Sequence, residues 1–305
     1  MLKPMQICEG RIAEGTPRQC HILVYVNPDE AEKRYLVEDL GIDEHTLNSA
    51  LDPDELARME FEPNHLALII KRPKSYSSVD NFQFKVGSIG LFVFTERLVI
   101  VLAEDIPLFE GRQFIKVNSM QDVVLKLIYR SIFHFEEHLK VINACSEQIE
   151  GEISKAMENR HLLNLFTLEK CLVYYLNAIS SNSRVIEKLR VNAERVGLTP
   201  ENLELLDDVA IENRQCREQA EIYSQVLASL MDARASVVGN NLNVLMKRLN
   251  IVMIALMLPT LWFSLFSMNV PIPFQHSGLA FWLILVTSIM LVGLLLGLLW
   301  KFKRW

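Results

Sequence analysis

Two apolar runs decide the fold of this chain: LNIVMIALMLPTLWFSLFSM at 249–268 and LAFWLILVTSIMLVGLLLGLLW at 279–300. Neither run contains a charged residue. Each is long enough to cross about 30 Å of hydrocarbon as one helix. We therefore predict two transmembrane helices that form a C-terminal hairpin, with residues 269–278 as the outer loop.

The charges of the 305-residue chain divide at the start of the first run. Residues 1–246 carry 26 basic and 37 acidic side chains, whereas residues 247–305 carry no acid. The basic residues of the second part are Lys247, Arg248, Lys301, Lys303 and Arg304. Because basic residues stay on the cytosolic side of a membrane, both termini are predicted to be cytosolic, with 301–305 as a basic tail. The acidic body excludes an ordinary basic nucleic-acid binder.

Residues 1–118 are predicted to form a small cytosolic α/β domain. Short β-branched and aromatic runs bounded by turn residues are typical of strands. They occur at His21–Val26, His65–Arg72, Asn81–Val86, Ser88–Phe94 and Arg97–Ala103. Pro28–Leu40 and Ile42–Arg58 have helical character, with a helix start expected at Asp52-Pro53. The five cysteines show no zinc or redox spacing, so we expect reduced core residues.

Long helices are predicted after Ser119, which together with Asp122 resembles a helix-capping signal. Residues 119–198 are an antiparallel helical region, with helices at Val123–Met157 and His161–Val196. Thr199 as N-cap with Pro200 at the first helical position opens a third helix. Residues 199–248 are then a stalk continuous with the first transmembrane helix. The predicted fold class is an α+β domain followed by long helices and the transmembrane hairpin.

The stalk has an apolar seam at alternating steps of three and four residues, which is typical of a helix packed along its length. Its positions are Leu206, Val209, Asn213, Cys216, Ala220, Tyr223, Leu227, Leu230, Arg234, Val237, Asn241 and Val244. A bundle within one chain and an oligomeric stalk explain this seam equally well.

The same spacing continues into the membrane as a stripe of amide, thioether, hydroxyl and apolar side chains. Its members are Asn243, Met246, Leu249, Met253, Met257, Thr260 and Ser264, with Asn250 as an alternative to Leu249. Polar groups on one face of a spanning helix indicate a face turned away from lipid. Two spans cannot enclose a pore, but several copies with the first span innermost can.

Two clusters in the soluble body are weighed as possible metal sites. His134-Phe-Glu-Glu-His138 matches the H-x-x-E-H pattern of inverted zinc peptidases, but we interpret it as a solvated helix face. Asp208 and Glu212 stand at i and i+4 and point the same way. They are either a solvated acidic face or a weak site for a hard cation, which prefers carboxylate oxygens. Without a catalytic constellation, we do not expect an enzyme.

These features resemble the CorA family of divalent-cation channels. That family has a cytosolic α/β domain, a stalk helix continuous with the first span, a Gly-Met-Asn motif, a second span and a basic tail. The stretch 258–276, LPTLWFSLFSMNVPIPFQH, is similar to the branch with a proline ten residues before the motif's Asn. In this chain the motif reads Ser267-Met268-Asn269.

The resemblance implies a homopentamer in the bacterial cytoplasmic membrane that admits Mg²⁺, and also Co²⁺ or Ni²⁺, under the membrane potential. Asn269 would be the outer selectivity residue, with Met268 and Ser267 beside it. The stripe would line the pore, and the five basic residues would form a collar around it. Asp208 would bind regulatory Mg²⁺; its partner is not identified, and Glu212 is one candidate. No resident cofactor is implied, because Mg²⁺ is the substrate and the regulatory ligand.

Two alternatives remain open. One is a zinc transporter of the same superfamily, like the ZntB branch. The other is a non-conducting, membrane-anchored oligomer that acts as a scaffold or Mg²⁺ sensor.

Overall fold

The computed structural model describes residues 1–15, 20–76, 82–153, 159–268 and 278–301. The chain divides into two compact units, Met1–Met231 and Asp232–Trp305. The first unit contains the sheet and the helices packed on it. The second contains the last part of the long helix and the C-terminal helix.

The first unit is built on a seven-stranded mixed sheet with the order β2-β1-β3-β7-β6-β5-β4. Strands β3 and β7 are parallel, and the other neighbouring pairs are antiparallel. The strands are β1 (Leu2–Cys8), β2 (Arg11–Glu14), β3 (Ile22–Val26), β4 (Arg58–Phe61), β5 (His65–Pro73), β6 (Val86–Phe94) and β7 (Leu98–Leu102).

The central strands are apolar on both faces, because helices cover both sides of the sheet. In β3, Ile22 and Val24 belong to one core cluster, whereas Leu23 and Tyr25 belong to the other. This explains why β3 and β7 are continuous apolar runs rather than alternating ones.

Short helices cover one face of the sheet: α1 (Glu30–Arg34), a π-helical turn at Tyr35–Asp39, and α2 (Glu44–Leu51). Asp43 caps α2, since its carboxylate accepts the Thr46 backbone N–H at 2.9 Å. The approach of α2 to β6 requires glycine. A Cβ on Gly90 would lie 2.5 Å from the Cβ of Ala50.

Several sequence predictions for this unit were wrong. Helix α2 ends at Leu51, and Asp52 is its C-cap with an extended ψ of 120°. Pro53 disfavours a helical conformation at the preceding residue, so Asp52-Pro53 closes a helix rather than opening one. In the predicted strand Asn81–Val86, only Val86 is in a strand, and Asn81 lies outside the described residues. Strands β1, β2 and β4 were not predicted.

Long helices cover the other face: α3 (Met120–Ile153), α4 (Asn159–Val191), α5 (Ala193–Val196) and the start of α6 (Pro200–Phe266). The predicted caps are present. Ser119 Oγ accepts the Asp122 N–H at 3.1 Å, and Thr199 Oγ1 accepts the Asn202 N–H at 3.2 Å. Gly197, with φ of 75°, ends α5 in the left-handed conformation that glycine favours.

The seam of α6 divides into a covered and an uncovered part. From Leu206 to Leu227 its apolar members, except the half-buried Tyr223, are buried in the core formed with α3 and α4. A bundle within one chain therefore accounts for this part. Val237 and Val244 are exposed. Contacts with other copies in an oligomeric stalk could therefore involve only the part of the seam after Leu227.

The second unit contains α6 up to Phe266 and α7 (Ala280–Lys301). Both helices are long and apolar enough to cross a membrane. Pro259 lies inside α6 without ending it.

Candidate functional site

The two apolar helices pack against each other through aromatic and hydroxyl side chains. Trp262 Nε1–H donates to Thr287 Oγ1 at 3.1 Å, and the Thr287 hydroxyl lies within 3.0 Å of carbonyl oxygens of its own helix. Ser288 is buried between the helices. These contacts define which face of α6 is turned toward α7.

The covered face of α6 is narrow. Ile251, Ala255, Leu258, Trp262 and Phe266 recur at steps of three and four residues and are half-buried. At about 100° per residue, these positions cluster on one side of the helix. That side is the contact with α7.

The stripe predicted from the sequence lies on the opposite side of α6. On the same helical wheel, Leu249, Met253, Met257, Thr260 and Ser264 centre about 180° from the covered face. The four apolar members Met246, Leu249, Met253 and Met257 are each more than half exposed in one chain. Asn243, Thr260 and Ser264 are exposed as well. The structure thus leaves the whole stripe available for contacts beyond its own chain.

The hydroxyl groups on this side are tied to the helix backbone. Thr260 Oγ1 donates to the Leu256 carbonyl at 2.8 Å. Ser267, directly after the last residue of α6, donates its hydroxyl to the Ser264 carbonyl at 2.9 Å. Each hydroxyl oxygen therefore keeps lone pairs that can accept a hydrogen bond from water.

Ser267, predicted to stand at the glycine position of the motif, adopts its conformation without backbone strain. The non-glycine residues with positive φ in the described part of the chain are Glu9, Asn27 and Phe82. Ser267 is outside that group, so its Cβ needs no left-handed conformation. Met268 is more than half exposed. Asn269, the predicted selectivity residue, lies outside the described residues.

The basic collar is described in part. Lys247 and Arg248 are exposed on α6, and Lys301 is the exposed last residue of α7. Lys303 and Arg304 lie outside the described residues.

The acidic group around Asp208 includes a carboxylate that the sequence did not single out. Glu136 of α3 lies close to Glu212, and burial, followed by the Glu212 charge, raises the pKa of Glu136. Burial also raises the pKa of Tyr129, with contributions from Glu212, Glu136 and Asp208. Tyr129 and Glu136 are seven residues apart, the spacing of one helix face, and this signal could have identified them.

Asp208 itself is exposed. Within the described ranges, no three His, Cys, Asp or Glu side chains are grouped as a metal site.

The interpretation of the H-x-x-E-H pattern as a solvated face was wrong. His138 is buried, and its Nδ1 lies 2.7 Å from the Tyr175 hydroxyl of α4. The His134 and His138 rings meet edge to face with centroids 4.5 Å apart. Burial lowers the pKa of both imidazoles to about 4, aided at His134 by Arg72 and Arg130 and at His138 by His134. The Tyr175 hydroxyl and aromatic rings surround His138, and His134 lies half-buried beside it.

The sequence profile of the CorA-like Mg²⁺ transporter protein family matches residues 19–304. The chain therefore belongs to this family, and it is a membrane transporter rather than an enzyme. A curated relative, the cobalt/magnesium transport protein CorA of Methanocaldococcus jannaschii, is 21% identical over 284 residues, covering 87% of this chain and 85% of the relative.

Solved structures confirm the predicted fold class. The complete CorA magnesium transporter from Methanocaldococcus jannaschii superposes with a TM-score of 0.83 at 18% identity, covering 100% of this chain and 98% of that one. The ZntB cytoplasmic domain from Vibrio parahaemolyticus gives a TM-score of 0.61 at 13% identity, covering 78% of this chain and 98% of that one.

Proposed function

We propose that this protein is a homopentameric channel that carries Mg²⁺ into the cytosol and closes when cytosolic Mg²⁺ is high. The observation that carries the proposal is the position of the stripe on α6. It contains hydroxyl, amide and thioether groups, faces away from α7 and remains uncovered within one chain. Copies arranged with α6 innermost would turn this stripe toward a shared axis and α7 toward lipid.

Selection would act on a hydrated ion. Mg²⁺ gives up its waters reluctantly, so a ring of Asn269 amide oxygens would accept hydrogen bonds from those waters. The Ser267 and Thr260 hydroxyls donate to their own helix, which leaves lone pairs for the same purpose. The proposed selectivity region therefore offers oxygen acceptors and no acidic side chain.

The driving force would be the membrane potential. It supplies about 2.3 kcal/mol per charge per 100 mV, or roughly 4.6 kcal/mol for a divalent ion moving inward. The basic flanks indicate that both termini lie in the cytosol, which places the acidic body where it can sense cytosolic Mg²⁺. The apolar stripe members Met246, Leu249, Met253 and Met257 would close the pore by excluding water from a narrow ring.

Regulation would involve Asp208. Glu136 is half-buried beside Glu212, and burial followed by the Glu212 charge raises its pKa, whereas Asp208 is exposed. Mg²⁺ bound between Asp208 and a neighbouring copy would offset the repulsion between the acidic bodies. Loss of that ion would free the stalks to separate, and the channel would open.

The first experiment measures Mg²⁺ influx into proteoliposomes under an inside-negative potential. We expect influx by the wild type and its loss in Asn269→Ala. Competition by Zn²⁺, Co²⁺ and Ni²⁺ ranks the ions. Influx of Zn²⁺ but not of Mg²⁺ would favour the zinc transporter. The absence of flux for every ion would favour a non-conducting oligomer.

A second experiment tests which face of α6 lines the pore. Met257→Cys lies in the stripe, and Ala255→Cys on the covered face is its matched control. A water-soluble thiol reagent should block influx through the first variant and spare the second. The native cysteines all precede residue 217 and so lie outside the spanning part of α6. Wild-type protein treated with the same reagent controls for reaction at those cysteines. Block of Ala255→Cys alone would contradict the proposed orientation.

A third experiment tests the regulatory aspartate. Asp208→Ala should weaken inhibition of influx by internal Mg²⁺. Asp207→Ala is the control, because Asp207 is the adjacent aspartate and instead pairs with Arg190 at 3.2 Å. Equal inhibition of Asp208→Ala and wild type would remove Asp208 from the regulatory site.

A further inference from the structure

A cavity of about 170 Å³ lies in the first unit between the end of β5, the segment after β7, and α3. Its polar lining consists of Arg72, Arg130, His134, Ser75 and Ser131, and the rest of the lining is apolar. None of the described side chains that line it is acidic. Among the described lining side chains, two guanidinium groups and no carboxylate face this space, which favours an anion there.

Arg72 is the group that needs a partner. Its residue is 6% exposed, and its Nε is buried without a hydrogen-bond partner. One terminal nitrogen donates to the Pro73 carbonyl at 3.0 Å. The other is 3.9 Å from a Glu104 oxygen, beyond hydrogen-bond distance, and Glu104 already binds Lys74 at 2.5 Å. A buried cation with incomplete compensation is costly, so an anion in this space would be stabilising.

Arg130 adds a second charge from the helix side. It donates to the Glu110 main-chain carbonyl, and among the described residues no carboxylate forms an ion pair with it. The pKa of the nearby His134 imidazole reflects the same positive charges, because burial and these two arginines lower it to about 4. At neutral pH His134 is therefore uncharged and can donate one N–H without adding a third positive charge.

We propose that this cavity binds a phosphate group, held by Arg72 and Arg130 with His134 as an additional hydrogen-bond donor. The planar guanidinium fork matches two oxygens of a tetrahedral oxyanion. A phosphate group brings about 1.5 to 2 negative charges at neutral pH, which balances two arginines better than one carboxylate does. Water in the cavity would leave the Arg72 charge only partly compensated by Glu104, 3.9 Å away, and would leave Arg130 without an ion-pair partner among the described residues.

The test uses the full-length protein in detergent with Mg²⁺ removed, and radiolabelled inorganic phosphate as the probe in equilibrium dialysis. We expect saturable binding of one phosphate per chain. Arg130→Gln should weaken it by roughly tenfold or more, the loss of one charge-assisted hydrogen-bonding group, and Arg130→Lys should restore part of it. Arg34→Gln, an exposed arginine of α1 on the other side of the sheet, should bind like the wild type.

Arg72→Gln is the second variant, with its folding checked by circular dichroism. Competition with AMP and ATP identifies the source of the phosphate group: displacement indicates a nucleotide, and its absence indicates free phosphate. The proposal is overturned if the wild type shows no saturable binding, or if both Arg130→Gln and Arg72→Gln bind phosphate as the wild type does. Binding is measured without ion flux, so this result is independent of the proposed channel function.

Discussion

Acidification should loosen the packing of α3 against α4 through His138. Its imidazole is buried, contacts the Tyr175 hydroxyl at 2.7 Å, and meets the Phe84 ring at a centroid distance of 5.6 Å. Burial and the neighbouring His134 lower its pKa from 6.5 to about 4. The unfolded chain therefore binds this proton more tightly than the folded chain. The stabilisation is present above pH 6.5 and is lost as the pH falls toward 4.

The size of the effect follows from the two pKa values. One pKa unit corresponds to about 1.36 kcal/mol, so the full shift would contribute roughly 3 kcal/mol. At pH 5, where the unfolded imidazole is almost fully protonated and the folded one is not, the expected loss is about 2 kcal/mol. Because His134 lies beside His138, protonation of one disfavours protonation of the other, and the two contributions are not additive.

The assay compares His138→Gln with wild type by hydrogen exchange of α3 amides in full-length protein at pH 8 and pH 5. Glutamine keeps a polar partner for Tyr175 but does not titrate. Intrinsic exchange rates cancel between the two proteins at each pH. We expect the wild type to lose protection relative to the variant by roughly 30-fold between the two pH values.

The control is His45→Gln, because His45 is an exposed histidine of α2. This variant should leave the protection of α3 amides relative to wild type unchanged between pH 8 and pH 5. A wild-type-to-variant ratio that stays constant from pH 8 to pH 5 would refute the reasoning, because it would mean that His138 has the same proton affinity in the folded and unfolded chain. The ratio at pH 8 alone measures the packing cost of the substitution, so only its change between pH 8 and pH 5 bears on the proton affinity of His138.

Two further substitutions test contacts between elements. Asn182 bonds both backbone groups of Lys71, at 2.8 Å each, so Asn182→Ala should leave them unsatisfied and cost about 2–4 kcal/mol; unchanged exchange protection of β5 would contradict this. Trp262→Phe removes the hydrogen bond to Thr287, and a double-mutant cycle with Thr287→Val in mixed micelles should show about 0.6–1.7 kcal/mol of coupling, whereas zero coupling would mean that the bond does not form.

The membrane hairpin and the helix starts could be predicted because their signals are local. An uncharged run of about 20 residues has few alternatives to a spanning helix. The Ser119 and Thr199 hydroxyls each accept a hydrogen bond from a backbone N–H three residues later. Their capping role can therefore be predicted from the local sequence alone. The stripe on α6 could be identified for the same reason, because helical periodicity alone determines which residues share a face.

The unpredicted features depend on partners distant in sequence. Strands β2 and β4 are four residues each and lie at the two edges of the sheet, where pairing rather than composition defines them. His138 looked solvated because Glu136 and Glu137 precede it, yet its burial comes from Tyr175, 37 residues later. The cavity proposed to bind phosphate lies between Arg72 and Arg130, which the packing of α3 on β5 brings together. No spacing in the sequence indicates that these two arginines are close.

The two sites proposed for cations share one physical property: each is incomplete within a single chain. The stripe on α6 is a single exposed face, and one face cannot surround an ion or exclude water from a constriction. Asp208 is an exposed carboxylate, and burial followed by the Glu212 charge raises the pKa of the nearby Glu136. In the proposed pentamer, assembly of copies would complete both sites together. A variant that dissociates the oligomer without unfolding the first unit should then abolish conduction and regulation by Mg²⁺ at once, while leaving phosphate binding in the cavity beside Arg72 intact.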